Sequence, residues 1–495
     1  MRTAENPKKA SCSGPVSLAT RILVLAAAIG LLIVPRLCHA FGEDEHGKFA
    51  ALRDSVTAEL LSSFEPEELR MMGHAGAAGQ LKDWSPAAIA EEVRFCREAL
   101  KNLNSAPASL PSDVLDRAIL VAHLTYLIHY FGVYHGELGN LELSAYPYSV
   151  MQYEMMQFDS GRIDFASAQN RFGAIEGILR SVPAYLNQQE ANLIAGTRMR
   201  APDSQMLQTL IDRIGSDSDG DSIRGGLRAL QQRIEEPQLQ GTLPVYQRKA
   251  LAALLQRADK AYERHAAFLT GKLRPLARNS WALGEKEYRT RLALIYGYGG
   301  SLEELVRPAE QEVARIRKEM IELAHQLRPD LPQTDDVHLV VLRALRDRHP
   351  VAKSELLSEY VEIQKRIDSQ LTTKLGLPTD AAVYKLAPLG VPVSLATNWP
   401  APLLSEGAAL VLVEASPTNN PTVDIPWIAA HEGSPGHGLQ SRFFHQSFSS
   451  QVAPLCRFLN VPDEVGYVRG NWSAMPNIEG WAFFAERLLL SLIHI

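Results

Sequence analysis

A mainly α fold with one small β element, at about residues 383–415, is what this sequence predicts. Three observations carry the prediction. Apolar residues recur at spacings of three and four along much of the chain, β-prone runs are confined to one proline-punctuated stretch, and the composition changes after Gly376 and Pro378 close the last periodic segment before it. No solenoid-period repeat and no long low-complexity segment interrupts the pattern.

The chain opens on Arg2, Lys8, Lys9 and Arg21, followed by thirteen apolar residues, Ile22–Val34, and by Cys38-His39-Ala40 with small residues at both positions that precede a cut. Residues 1–40 therefore read as an export signal cleaved after Ala40, and the mature chain as periplasmic or extracellular. The apolar run falls short of the ~20 residues that span a bilayer, so no membrane span is expected in the mature chain. Pro35-Arg36-Leu37 lacks the small side chains expected before a lipidated cysteine. Removing 1–40 takes five of the 50 basic residues and one of the 56 acidic ones, leaving a net charge of −10. That acidic balance disfavours nucleic acid and anionic membranes as partners. Two of the four cysteines fall in the leader; Cys96 and Cys456 are far enough apart in sequence that buried free thiols are expected, with one disulfide after export as the alternative.

The roughly 455 residues of 41–495 can bury a substantial core and are expected to form a single large helical domain. Val114–Phe131 is a rich apolar helix, Phe172–Ile194 is helical with a break or kink at Pro183, and Arg248–Leu269 is helical. Two stripes mark further helices: Val313, Ile316, Met320, Leu323 and Leu327, then Leu356, Tyr360, Ile363, Ile367 and Leu371, closed by Gly376 and Pro378. The aspartates of Gly215–Ser222 alternate like a calcium loop, but the glycine comes early and Arg228 stands where the closing glutamate belongs. A solvated connection is the reading there. His123, His129 and His135, spaced by six, cannot converge on a continuous helix. Ala408–Ala415 is the best strand candidate, and its place just upstream of His431 predicts a small sheet beside that residue, structural or with an edge free to pair with an extended substrate.

His431, Glu432 and His437 supply what a hydrolytic metal site needs: two imidazole ligands, and a carboxylate that can take a proton from water. The familiar zinc helix places its histidines four apart on one face, whereas here they are six apart. Six residues of continuous helix turn through about 600° and leave the rings roughly 240° apart and about 9 Å displaced, too far to share an ion. The helix must break. Gly433 can end one segment, Ser434 cap the next, Pro435 occupy its first turn and Gly436 allow close backbone approach. Glu479 and Glu486 are seven apart, so one side of a helix projects both, and Glu479 is the candidate third ligand. Without a metal, the same residues would make a polar helix end and two solvated carboxylates.

The blocks His431-Glu432-Gly433-Ser434-Pro435-Gly436-His437-Gly438-Leu439-Gln440 and Glu479-Gly480-Trp481-Ala482-Phe483-Phe484-Ala485-Glu486 resemble the two signatures of the bacterial domain-of-unknown-function family eight-eighty-five. A weaker likeness runs through Arg171–Thr197 and from Leu283 to Ile316. Members of that family are regarded as zinc metallohydrolases of the gluzincin type. The resemblance thus implies a zincin-like helical fold, one Zn2+ per chain on His431, His437 and Glu479, Glu432 as general base, and a peptide or small amide as substrate. Many relatives carry a second histidine where this chain has Gly438, and usually continue well past the second block, which implies a chain shortened at its C-terminus. Glu486, Tyr467, Arg469 and His445 lie close enough in sequence to support the site or its developing oxyanion. The alternative expectation is an inactive envelope protein that binds a metal or ligand without turnover.

Overall fold

The structure, a computed structural model, describes residues 43–72, 74–158, 165–215, 222–235, 243–279, 282–348, 351–352, 354–377, 383–387, 395–399, 409–414, 421–448, 454–459 and 475–493. The leader, the aspartate loop between Gly215 and Ser222, Tyr467 and Arg469 lie outside these residues, as does the side chain of His445.

Helices dominate the order: α1 (Glu43–Glu59), α2 (Pro66–Met71), α3 (Pro86–Ser105), α4 (Pro111–His129), α5 (Tyr146–Phe158), α6 (Phe165–Gly196), α7 (Ser204–Ile214), α8 (Ile223–Arg233) and α9 (Val245–Phe268) come first. Then follow α10 (Glu285–Tyr296), α11 (Leu302–Leu327), α12 (Val337–Arg348) and α13 (Leu356–Leu375). Strands β1 (Val383–Leu386), β2 (Ala396–Trp399) and β3 (Leu410–Val413) separate these from α14 (Ile425–Glu432), α15 (His437–Phe448) and α16 (Met475–Ile493). Among the described residues, no helix is long and apolar enough to cross a membrane.

Local chemistry sets many helix ends. The side chains of Ser85, Asp203, Ser222 and Ser301 accept from backbone N–H groups of the first turns of α3, α7, α8 and α11, satisfying donors that have no partner within the helix. Gly376 closes α13 in the left-handed region at φ 64°, as the sequence predicts. Of the expected break or kink at Pro183, the break is not there: α6 runs through it as one helix. Val182, Tyr185 and Leu186 are all buried, and that packing offsets the ~3 kcal/mol an interior proline costs. Helix α11 forms as expected, but its stripe faces outward, with Val313 66% and Leu323 55% exposed. This helix packs on α12 near its C-terminal end, through Ala324 against Val337 and Val341.

Two buried cores organise the chain. The larger draws on α1 through α9, with Trp84, Tyr126, Tyr130 and Tyr262 fully buried. The second joins Tyr360, Ile363, Ile367 and Leu371 of α13 to Val411 and Val413 of β3, Ile425, Ile428 and Ala429 of α14, and Leu489 of α16. In the sheet, ordered β1-β3-β2, β3 pairs parallel with β1 and antiparallel with β2, Asn398 lying opposite Val411. The strongest strand candidate is thus the central strand, buried on both faces, and β2 is the edge nearest α14.

The histidines set aside above keep separate partners: His129 bonds Glu287 at 3.0 Å, His135 lies 3.4 Å from Glu137, and His123 lies 3.8 Å from Glu65. Cys96 and Cys456 are free and buried. Inside the larger core, Lys82 pairs with Glu92 at 2.7 Å, and its backbone N–H donates to Glu67. Burial pushes Glu67 up to about 7, against the pull of that hydrogen bond. A carboxyl raised on folding stays protonated in the native chain between the unfolded value and about pH 7, so this group's contribution to stability falls as pH rises through that window. Glu67→Gln should therefore be close to wild type in stability near pH 5 and more stable than it at pH 8, by up to about 3 kcal/mol. Parallel melting curves across the range would refute the assignment.

Candidate metal centre

The second core delivers the site. Helix α14 ends at Glu432, and Gly433 closes it by donating to the Ala429 carbonyl at 2.9 Å. The break required by the six-residue spacing is present, but its anatomy differs from the sequence expectation. Ser434 does not cap the next helix and Pro435 is not in its first turn, because α15 begins only at His437. Instead the corner is stapled by its own backbone, Gly436 N–H donating to the Ala430 carbonyl at 2.9 Å and Gly438 N–H to the Gly433 carbonyl at 2.8 Å. The Ser434–Pro435 peptide is cis. A Cβ on Gly436 would stand 1.9 Å from the His431 carbonyl oxygen, so only glycine lets the chain double back this tightly.

Doubling back brings the imidazoles together, with ring centroids 4.8 Å apart and planes nearly perpendicular at 89°. Helix α16 supplies the third group: Glu479 Oε2 lies 3.4 Å from His431 Nε2 and 3.9 Å from His437 Nε2. One donor atom from each of the three residues falls within 4.8 Å of the others, and among the described residues no other trio of His, Cys, Asp or Glu meets that condition. A zinc ion with ligands at ~2.1 Å in a tetrahedron needs them about 3.4 Å apart. Two imidazole nitrogens and a carboxylate oxygen are a donor set suited to a first-row divalent ion, and the wider of these separations would have to close by up to about 1.4 Å around one.

One helical turn pair beyond Glu479, Glu486 reaches the opposite nitrogen of the same ring, Oε1 to His431 Nδ1 at 2.6 Å. The predicted common face of α16 thus grips His431 from both sides. A carboxylate behind a ligating imidazole fixes its tautomer and turns Nε2 toward the ion. Trp481 anchors α16 to the corner, donating its indole N–H to the Pro435 carbonyl at 2.9 Å.

Glu432, next to His431, is tied to the sheet edge through its Oε2. Its Oε2 accepts from the Asn398 backbone N–H at 2.6 Å, while the Asn398 side chain donates to the Glu432 carbonyl at 2.8 Å and accepts from Ser441 at 3.2 Å. Burial raises the Glu432 carboxyl to about 7, against the opposing pull of His431 and the Asn398 hydrogen bond, with Glu479 and Glu486 adding like-charge repulsion. Burial depresses His431, but the Glu486 hydrogen bond and the surrounding carboxylates more than offset it and its pKa rises. Burial and the neighbouring His431 lower His437. Three carboxylates around two imidazoles form an electronegative pocket of the kind a cation relieves. Asn398 escapes sequence reasoning because nothing in Thr397-Asn398-Trp399 marks a link to a residue 34 positions away.

Fold and site together define a mainly helical protein in which a glycine corner and a distant helix converge on a His-His-Glu cluster. A family model described as "Bacterial protein of unknown function (DUF885)" matches residues 66–492, and the chain belongs to that family. Two solved structures share its fold. One, from Shewanella oneidensis, is described as a "putative lipoprotein of unknown function"; it is 17% identical with a TM-score of 0.58, the match covering 90% of this chain and 78% of that one. The other, a "putative lipoprotein" from Colwellia psychrerythraea, is 15% identical with a TM-score of 0.66, covering 91% and 78%. No curated protein matches the chain.

Proposed function

We propose that this chain is an exported, zinc-dependent hydrolase of peptides or small amides. The observation that carries the reading is the convergence of His431, His437 and Glu479 within ligand range, with Glu432 adjoining the first ligand and Glu486 bracing it. A two-nitrogen, one-oxygen donor set suits zinc better than magnesium or calcium. When bound, the ion supplies a Lewis acid that acidifies water and polarises a carbonyl.

The protein's own groups do the rest. His431 and His437 would hold the ion through ring nitrogens, and Glu479 would contribute one carboxylate oxygen and a negative charge. Glu432 takes the proton from the attacking water and returns it to the leaving amine. Asn398 ties Glu432 to β2, which pairs with β3 on one side, and a substrate lying extended alongside that strand is part of the proposal. A zincin-like classification rests on this donor set and is part of the proposal. Export is supported by the signal pattern of residues 1–40 and by the lipoprotein descriptions of the two structural relatives.

The test is stoichiometric metal analysis before and after chelation, run with a broad peptide and amide hydrolysis panel. One zinc per chain, with turnover lost on chelation and restored by zinc, is the expected result. Zinc without turnover against the whole panel would favour a binding role, and no zinc at all would end the metal reading.

A further inference from the structure

The corner between His431 and His437 is held by a residue outside both signature blocks. Gln364, on α13 and 3% exposed, places its side-chain amide against the Ser434 peptide: Nε2 donates to the Ser434 carbonyl at 3.1 Å, and Oε1 accepts from the Ser434 N–H at 3.4 Å. The remaining capacity of the amide is also used. Nε2 donates to Asp368 at 2.8 Å and Oε1 accepts from the Tyr384 hydroxyl at 2.7 Å. Two donors and two acceptors are matched to two acceptors and two donors, which is all an amide can make.

The partners also set which way the amide faces. Flipped, its NH2 would meet the Tyr384 hydroxyl and the Ser434 N–H, and its oxygen would meet a carboxylate and a carbonyl. Burial keeps the Tyr384 phenol well above its usual pKa, so the hydroxyl remains a donor. Gly433 leaves room for this arrangement, since a Cβ there would stand 2.1 Å from Gln364 Oε1 and 2.4 Å from the Tyr384 hydroxyl. Ser434 is 3% exposed, so without Gln364 its peptide groups would lose partners that water cannot readily replace.

From this geometry we infer that Gln364, oriented by Asp368 and Tyr384, is a positioning residue that fixes the corner and so holds His437 in register with His431 for the metal. The inference rests on the metal reading above. Outer groups of this kind typically change metal affinity by about 10- to 100-fold. Gln364→Met keeps the bulk and removes the hydrogen bonds.

The experiment measures zinc affinity by chelator competition, the visible spectrum of the cobalt-loaded protein, and thermal unfolding of the metal-free protein, for wild type, Gln364→Met, Asp368→Ala and Tyr384→Phe. Expected are a zinc affinity about 10- to 100-fold weaker in Gln364→Met, smaller losses in the other two, and weakened cobalt bands that report the displaced imidazole. Zinc binding within about threefold of wild type in a folded Gln364→Met protein would overturn the inference. If that variant does not fold, the partly exposed Asp368→Ala and Tyr384→Phe decide it by the same criterion. A role in folding alone would lower the melting temperature and leave zinc affinity and the cobalt spectrum unmoved. Failure of the wild-type chain to bind zinc would remove the metal reading and the inference with it, whereas wild-type binding with unaffected variants removes the inference alone.

Discussion

Glu432→Gln should keep its zinc and lose its turnover. Glutamine preserves the shape and still accepts the Asn398 N–H now bound at 2.6 Å, so the sheet-edge contact survives. It cannot take a proton from water. Removing a general base typically costs about 10²- to 10⁴-fold in rate, and the loss should fall on kcat with zinc affinity within about threefold of wild type. Parallel loss of metal and activity would instead make Glu432 a structural member of the site.

Gly436→Ala should dismantle the site from within its backbone. The added methyl would sit 1.9 Å from the His431 carbonyl oxygen and 2.5 Å from that of Ala430, both backbone atoms that cannot swing aside. Opening the corner costs about 1–3 kcal/mol of stability by analogy with overpacked cores. It also moves His437 away from Glu479, and zinc affinity should fall at least about 100-fold on the scale set by lost ligand support. Gly480→Ala is the matched control. A Cβ there meets nothing within 4 Å on α16, so that variant should bind zinc normally and gain up to about 1 kcal/mol from better helix propensity. Equal zinc affinity in the two variants would show that the corner's tightness is irrelevant to the cluster.

What the sequence revealed follows physical range. The stripe of Leu356, Tyr360, Ile363, Ile367 and Leu371 gave a helix whose five apolar positions are all buried, because three- and four-residue spacing is a local property. The pairing of Glu479 with Glu486 was legible for the same reason. Local rules also required a break after Glu432. They misassigned Ser434 and Pro435, since a chain folded back on the Ala430 carbonyl and gripped by α13 is a tertiary arrangement. Pro183 shows the converse, a local breaker overruled by buried neighbours. Gln364 did leave a trace: it is the polar residue next to Ile363 on an otherwise apolar face. Asn398 left none, and only the fold of the sheet reveals it.

The two carboxylates of α16 have one more consequence. Both nitrogens of His431 are addressed from a single rod, so that rod cannot slide, tilt or lift without releasing ligand and brace together. A cation seated there would act as a rivet between the corner at 431–437 and a segment more than 40 residues downstream, adding to the Trp481 and Leu489 contacts that already fasten the last described helix.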